Sequence, residues 1–300
     1  MYAGPIIDTH HHIWEVRNYP WLIEPMRPRI FGESYAPLRQ DYLIDAYAAD
    51  TAGHNVVKSV HVQAHYDPRD PVGETRWLQS VADGHGFPHA ITGHAHLAHD
   101  RVEEVLDAHA RFANFRGIRD HVMWEPSRKA WQAVDTPDFC LTKEYRRGVK
   151  ALAARKLHYE LQGFPNQFSM FAELIGDNPK LPICLVHSGL LTGDDPASFA
   201  LWEKGLASLA PLKNLFVKCS GVNNVNWGAP RAYAPVARQY NTLLDIFGAE
   251  RCFFGSNFPV EKLKNTYKSL MDTLKSALAH RSEAEQRAFF HDTAARFYRI

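Results

Sequence analysis

Signals for several common roles are missing from this chain. Lysine plus arginine (34) nearly balances aspartate plus glutamate (33), leaving a formal charge of +1. With no basic stripe interleaved with aromatics, a nucleic-acid partner is not expected. No run of about 18 apolar residues occurs, which argues against a membrane span. Neither a basic leader nor a long apolar stretch follows Met1, so no secretory signal is expected. Cysteine is scarce: Cys140, Cys184, Cys219 and Cys252 are widely scattered, and three of them sit in apolar runs. Reduced, buried thiols in a cytoplasmic protein are the plain expectation. No internal repeat, low-complexity tract or linker divides the 300 residues, which reads as a single domain. A homo-oligomer is compatible with this composition and is not specified by it.

What the chain does have is histidine, 17 of them, in an otherwise ordinary composition. It also has eight short apolar or alternating runs, at 6–12, 57–64, 90–97, 115–121, 157–162, 181–187, 215–220 and 252–257, separated by stretches of helical period. Two helix starts carry cap signals, Asp100 with Glu103 and Ser282 with Glu285. Strand and helix alternating eight times predict an α/β fold, a (β/α)8 TIM barrel. The runner-up, a doubly wound sheet, is disfavoured because no Gly-rich turn follows the first run. Segments 14–41 and 223–235 leave the C-terminal ends of strands and are expected to overhang the barrel mouth.

The first run reads Asp8-Thr9-His10-His11-His12. Alternation along a strand puts Asp8, His10 and His12 on one face. Two imidazoles at spacing two, at a strand's C-terminal end, can converge on a metal or on the oxygens of an anionic substrate. Polar residues also alternate with apolar ones on later strands: Arg119 with His121, and His158 with Glu160 and Gln162. That places the polar sets inside the barrel. His61, Gln63 and His65 alternate likewise, and His94 and His96 repeat the H-x-H spacing.

These pieces, in this order, resemble the amidohydrolase superfamily, and within it the amidohydrolase-2 group. That group holds sugar-lactone hydrolases of the L-fuconolactone and L-rhamnonolactone type and 2-pyrone-4,6-dicarboxylate lactonase. The resemblance runs through Tyr19-Pro20-Trp21-Leu22, Val62-Gln63-Ala64, Gly117-Ile118-Arg119, His187-Ser188-Gly189, Lys218-Cys219-Ser220-Gly221 and Gly255-Ser256-Asn257-Phe258-Pro259-Val260. It implies a catalytic centre of His10, His12, His187 and the residue at 257. The family has Asp there, credited with activating water; this chain has Asn257. A neutral amide is no useful base near neutral pH, although Asn257 can still offer its carbonyl oxygen or its amide hydrogens.

Glu160 and His158, and His121 near the mouth, are therefore expected as candidate substitute bases, the alternative being a buried polar network with one another or with Arg119. Glu261, just past the eighth run, is another possible carboxylate, with a solvated helix-start residue as the favoured alternative. Arg119 is assigned to an anionic group of the substrate, since a guanidinium fork matches a carboxylate. His121, Gln63, Lys218 and His96 are further candidate substrate contacts. Three imidazoles satisfy the ligand count of a catalytic zinc, so one divalent ion held by His10, His12 and His187 is expected, with metal-free catalysis as the alternative within the resembled family.

The expected activity is hydrolysis of a lactone or similar cyclic ester of a sugar acid or aromatic-catabolism intermediate, a carboxylated or polyhydroxylated small molecule. A lyase on the same fold, a decarboxylase or hydratase, is the second reading, and a non-catalytic ligand-binding barrel the third.

Overall fold

The computed structural model describes residues 1–224 and 228–300. Eight parallel strands follow one another in chain order around a barrel. They are β1 (Ile6–His11), β2 (Val56–Val62), β3 (Ala90–Gly93), β4 (Phe115–His121), β5 (His158–Gln162), β6 (Ile183–Leu185), β7 (Leu215–Cys219) and β8 (Cys252–Phe254). The first and last strands are stitched together by Thr9 Oγ1 donating to Phe254 O (2.5 Å) and by backbone bonds from Asn257 N to His10 O (2.6 Å) and His12 N to Phe258 O (2.7 Å). The arrangement is the expected (β/α)8 barrel.

Ile7, Val60, Ala90, Cys184 and Phe253 fill the N-terminal end of the barrel, where Phe297 and Tyr298 of the last helix, Thr293–Tyr298, pack onto them. Burying each large side chain of this plug contributes about 1.5–3 kcal/mol. The four cysteines are free and buried. No helix among the described residues is long and apolar enough to cross a membrane.

Three expectations shift. On β1 the pairing runs from Asp8↔Ser59 to His11↔His61, three residues against two. This bulge reverses the phase of the alternation. Asp8 leaves the face of His10 and instead accepts from Tyr47 (3.0 Å) and Tyr267 (3.3 Å), on helices Ile44–Thr51 and Tyr267–Ala277. His11 stacks on Tyr47 on that same outer side (ring centroids 4.0 Å apart). β3 stops at Gly93, so His94 and His96 lie beyond it on a loop. The Ser282–Glu285 capping box forms, but Asp100 caps nothing: Arg101 holds the cap position and Asp100 pairs with Arg147.

Segment 14–41 folds over the mouth as an aromatic cluster of Trp14, Tyr19 and Tyr35, joined by Tyr42 just beyond it. Of segment 223–235, Val225, Asn226 and Trp227 lie outside the described residues.

Candidate active site

Left-handed backbone at non-glycine residues gathers where strands meet the mouth: His65 after β2 (φ 61°), His187 and Ser188 after β6 (φ 53° and 56°), and Asn257 after β8 (φ 62°). Each costs about 1–3 kcal/mol, a strain characteristic of functional sites. Gly221, itself at φ 62°, accommodates the strand-six turn, since a Cβ there would come within 2.7 Å of His187 Nδ1.

The His10 ring lies 4.5 Å from that of His187 and 5.0 Å from that of His12, centroid to centroid. The expected convergence of these three imidazoles is therefore present. Arg119 Nη1 donates to His10 Nε2 at 3.3 Å, and its Nη2 donates to Gln63 O. Since a guanidinium only donates, His10 Nε2 accepts and its proton sits on Nδ1. His12 Nδ1 donates to Val62 O (2.7 Å), leaving Nε2 as a free lone pair. His187 Nδ1 bonds Ser220 Oγ (2.9 Å).

Above them is a cavity of about 270 Å³ lined by His12, His121, His187, Arg119, Asn257 and Gln162, among others. Among the described residues no Asp or Glu side chain lines it, whereas two arginines, Arg29 and Arg119, do. Four buried polar atoms of residues that line it lack partners: Arg119 Nε, Asn257 Nδ2, His121 Nε2 and Gln162 Oε1. Buried polar groups are normally satisfied, and these four belong to side chains that meet at the cavity. Burial, then neighbouring positive charge, holds His10, His12, His187 and His121 well below the usual imidazole pKa. Burial also lowers Arg119 to about 10, which leaves it cationic at neutral pH.

Several candidates move. Glu160, His158 and Lys218 form a closed network one layer below the cavity. Lys218 Nζ bonds both Glu160 oxygens (2.7 Å each), and Tyr298 Oη (2.8 Å) and Thr92 Oγ1 (3.0 Å) donate to the same carboxylate. His158 Nε2 bonds Thr92. Burial alone would raise the Glu160 pKa, but Lys218 and His158 outweigh it and hold the carboxyl below its ordinary range. Glu160, His158 and Lys218 are thus committed to one another and do not line the cavity.

Gln63 acts through Arg119 and through His65, whose backbone N–H its side chain accepts (2.8 Å), and does not line the cavity. His10 lies beneath the cavity wall and supports Arg119. His96 faces a second groove. Glu261 is buried rather than solvated, bonded by Asn223 and Asn265, with the Asn257 side chain also favouring its carboxylate. The residues the sequence did not flag, Arg29 and Trp131, come from long excursions after β1 and β4. Only the "RPRIF" composition of the first could have signalled one of them.

A divalent ion does not fit this donor set. The Nε2 of His10 is occupied by a guanidinium carrying a permanent positive charge, and the strand-eight residue is a neutral amide. Among the described residues no three His, Cys, Asp or Glu side chains are grouped to hold a metal.

The amidohydrolase family model matches residues 7–300, nearly the entire chain. The chain belongs to the amidohydrolase family. Among its relatives, protein y4mH of Sinorhizobium fredii is 39% identical over 98% of both chains. An L-fucono-1,5-lactonase of Burkholderia multivorans is 29% identical, over 98% of this chain and 96% of that one. A Burkholderia multivorans amidohydrolase structure with bound zinc superposes with a TM-score of 0.83 at 27% identity, covering 99% of this amidohydrolase and all of that chain (100%). The zinc is a property of that structure. In this amidohydrolase Arg119 stands against the imidazole that would have to face the ion.

Proposed function

We propose that this amidohydrolase is a lactonase that hydrolyses a sugar-acid lactone or similar small cyclic ester without a resident metal. The observation that carries the reading is a cavity lined by two side chains with unpartnered donors, Arg119 Nε–H and Asn257 Nδ2–H, by imidazoles and, among the described residues, by no carboxylate. Such an arrangement suits a neutral ester whose carbonyl oxygen becomes negative. The named activity of the Burkholderia relative supports the same class.

His12 Nε2, held toward the cavity by the Nδ1–H bond to Val62, takes a proton from water as the water oxygen attacks the ester carbonyl. Arg119 and Asn257 donate to the developing oxyanion, and His187, oriented by Ser220, lines the same wall. Collapse breaks the ring C–O bond, and the leaving alkoxide takes the proton from His12. The carboxylic acid so formed then ionises, leaving one proton to be exported. Gln162 Oε1 accepts from a substrate hydroxyl, which favours a polyhydroxylated ring.

The test is acid release from L-fucono-1,5-lactone and related lactones, followed with a pH indicator. His12→Ala is expected to lower kcat/KM by roughly 10²–10⁴-fold with the circular dichroism spectrum unchanged. An unchanged rate would remove the assignment.

A further inference from the structure

Hydrolysis under the reading above ends with a proton inside a cavity that has no carboxylate to receive it. The structure offers a way out. The His121 ring, on the cavity wall, lies 4.7 Å from the ring of His65, centroid to centroid. His65 lines both this cavity and a neighbouring groove of about 610 Å³, and its left-handed backbone turns the ring into the wall between them. From His65 to His94 the centroids are 6.5 Å apart, a gap that one water can bridge. His94 Nε2 is 3.7 Å from Asp120 Oδ1, and His96 Nδ1 is 3.7 Å from Asp120 Oδ2. The His94 and His96 side chains are 41% and 57% exposed in the groove, while Asp120 is at 10%.

We propose that His121, His65, His94 and His96, the last two joined through the Asp120 carboxylate, form the exit path by which the proton released in hydrolysis reaches solvent. Only N–H and O–H bonds change along it: each imidazole gains a proton on one nitrogen and loses one from the other, the Asp120 carboxylate takes a proton from His94 on one oxygen and yields one to His96 from the other, and His96 passes it to water or buffer.

The charges facing the path set its direction. Burial, Arg119 and Arg29 disfavour a resident proton on His65, and burial and His65 do so on His121. At the far end the Asp120 carboxylate, 3.7 Å away, raises His96, while Asp120 itself is held down to about 2 by the two imidazoles despite its burial. Glu74, on the groove wall, accepts from Tyr19 Oη and Ala64 N at 2.9 Å each. Its pKa is raised to about 7 by burial, so it adds only a partial negative charge on that side. A proton is therefore transient beside the cavity and stable at the groove.

This inference rests on the lactonase reading, and its test separates the two. The probe is L-fucono-1,5-lactone, assayed in dilute and in concentrated imidazole buffer. For His94→Phe/His96→Phe, kcat is expected to fall by roughly tenfold or more in dilute buffer, with KM unchanged, and to recover in concentrated imidazole. The single variant His96→Phe, on a largely exposed side chain, repeats the measurement if the double variant fails to fold. A native kcat in dilute buffer, or a deficit that imidazole does not repair, overturns the exit path and leaves the lactonase reading standing. No acid release by the native chain from any lactone overturns both.

Discussion

Arg119 Nη1 donates to His10 Nε2 across 3.3 Å, so a guanidinium occupies the imidazole nitrogen that a metal would need. The two residues are 109 positions apart, on β4 and β1. The contact makes His10 a support for the cation and leaves His12 and His187 to face the cavity. It also determines what removing Arg119 should do.

Chelation with EDTA is expected to leave lactone hydrolysis by the native protein unchanged. Arg119→Ala should lose roughly 10²–10³-fold in kcat through loss of an oxyanion donor. It should also gain measurable zinc affinity by calorimetry, because His10 Nε2 is released toward His12 and His187. Loss of native activity on chelation would contradict the metal-free site.

Asn257→Asp replaces an amide donor with an acceptor beside the site of the oxyanion. A fall in kcat of roughly 10²-fold is expected, read from initial rates. A large gain would mean that water activation, and not charge stabilisation, is what the native chain lacks.

The buried imidazoles make both activity and stability depend on pH in a defined sense. His12 and His187 titrate well below the usual 6.5, so kcat/KM should stay flat as pH falls through that value and decline only further into acid. For stability, the unfolded chain protonates its histidines near 6.5 while the fold resists. His61 is lowered to about 3 and His109 to about 4, chiefly by burial. Between each folded value and 6.5 the unfolded state binds more protons, so stability rises with pH, and each such group costs up to about 1.4 kcal/mol per pH unit as the solution is acidified. Melting temperatures measured from pH 7 to pH 4 should fall steadily from about 6.5 downward. A flat profile would show that these imidazoles are not held neutral.

Lys218→Met strands the Glu160 carboxylate in the barrel interior. Breaking such a pair is expected to cost about 3–5 kcal/mol in urea unfolding. Tyr298→Phe removes one charge-assisted bond to the same carboxylate and should cost about 1.5–3 kcal/mol. Lactone turnover per folded molecule should persist in both, because neither side chain reaches the cavity.

β5 shows how far alternation carries. It correctly turned His158, Glu160 and Gln162 inward, yet only Gln162 lines the cavity, while Glu160 is committed to Lys218 one pleat lower. A period of two gives a face and says nothing about height along the barrel axis. Asp8 failed differently, since one extra residue in β1 reverses the phase for every position before it. His94 and His96 were placed on a strand that had already ended at Gly93. What brings them together is Asp120, from the neighbouring strand.

Strand number and order, the histidine-rich mouth and the missing acid at position 257 are all properties of short stretches of chain, governed by local patterns of apolar and polar residues, and they are readable in the bare sequence. Which polar side chain meets the cavity, which is tied up in an ion pair and which imidazole nitrogen keeps its lone pair emerge only in the folded barrel. These depend on charges and donors brought into contact from remote strands, where a few ångströms of height or one hydrogen bond changes a residue's role.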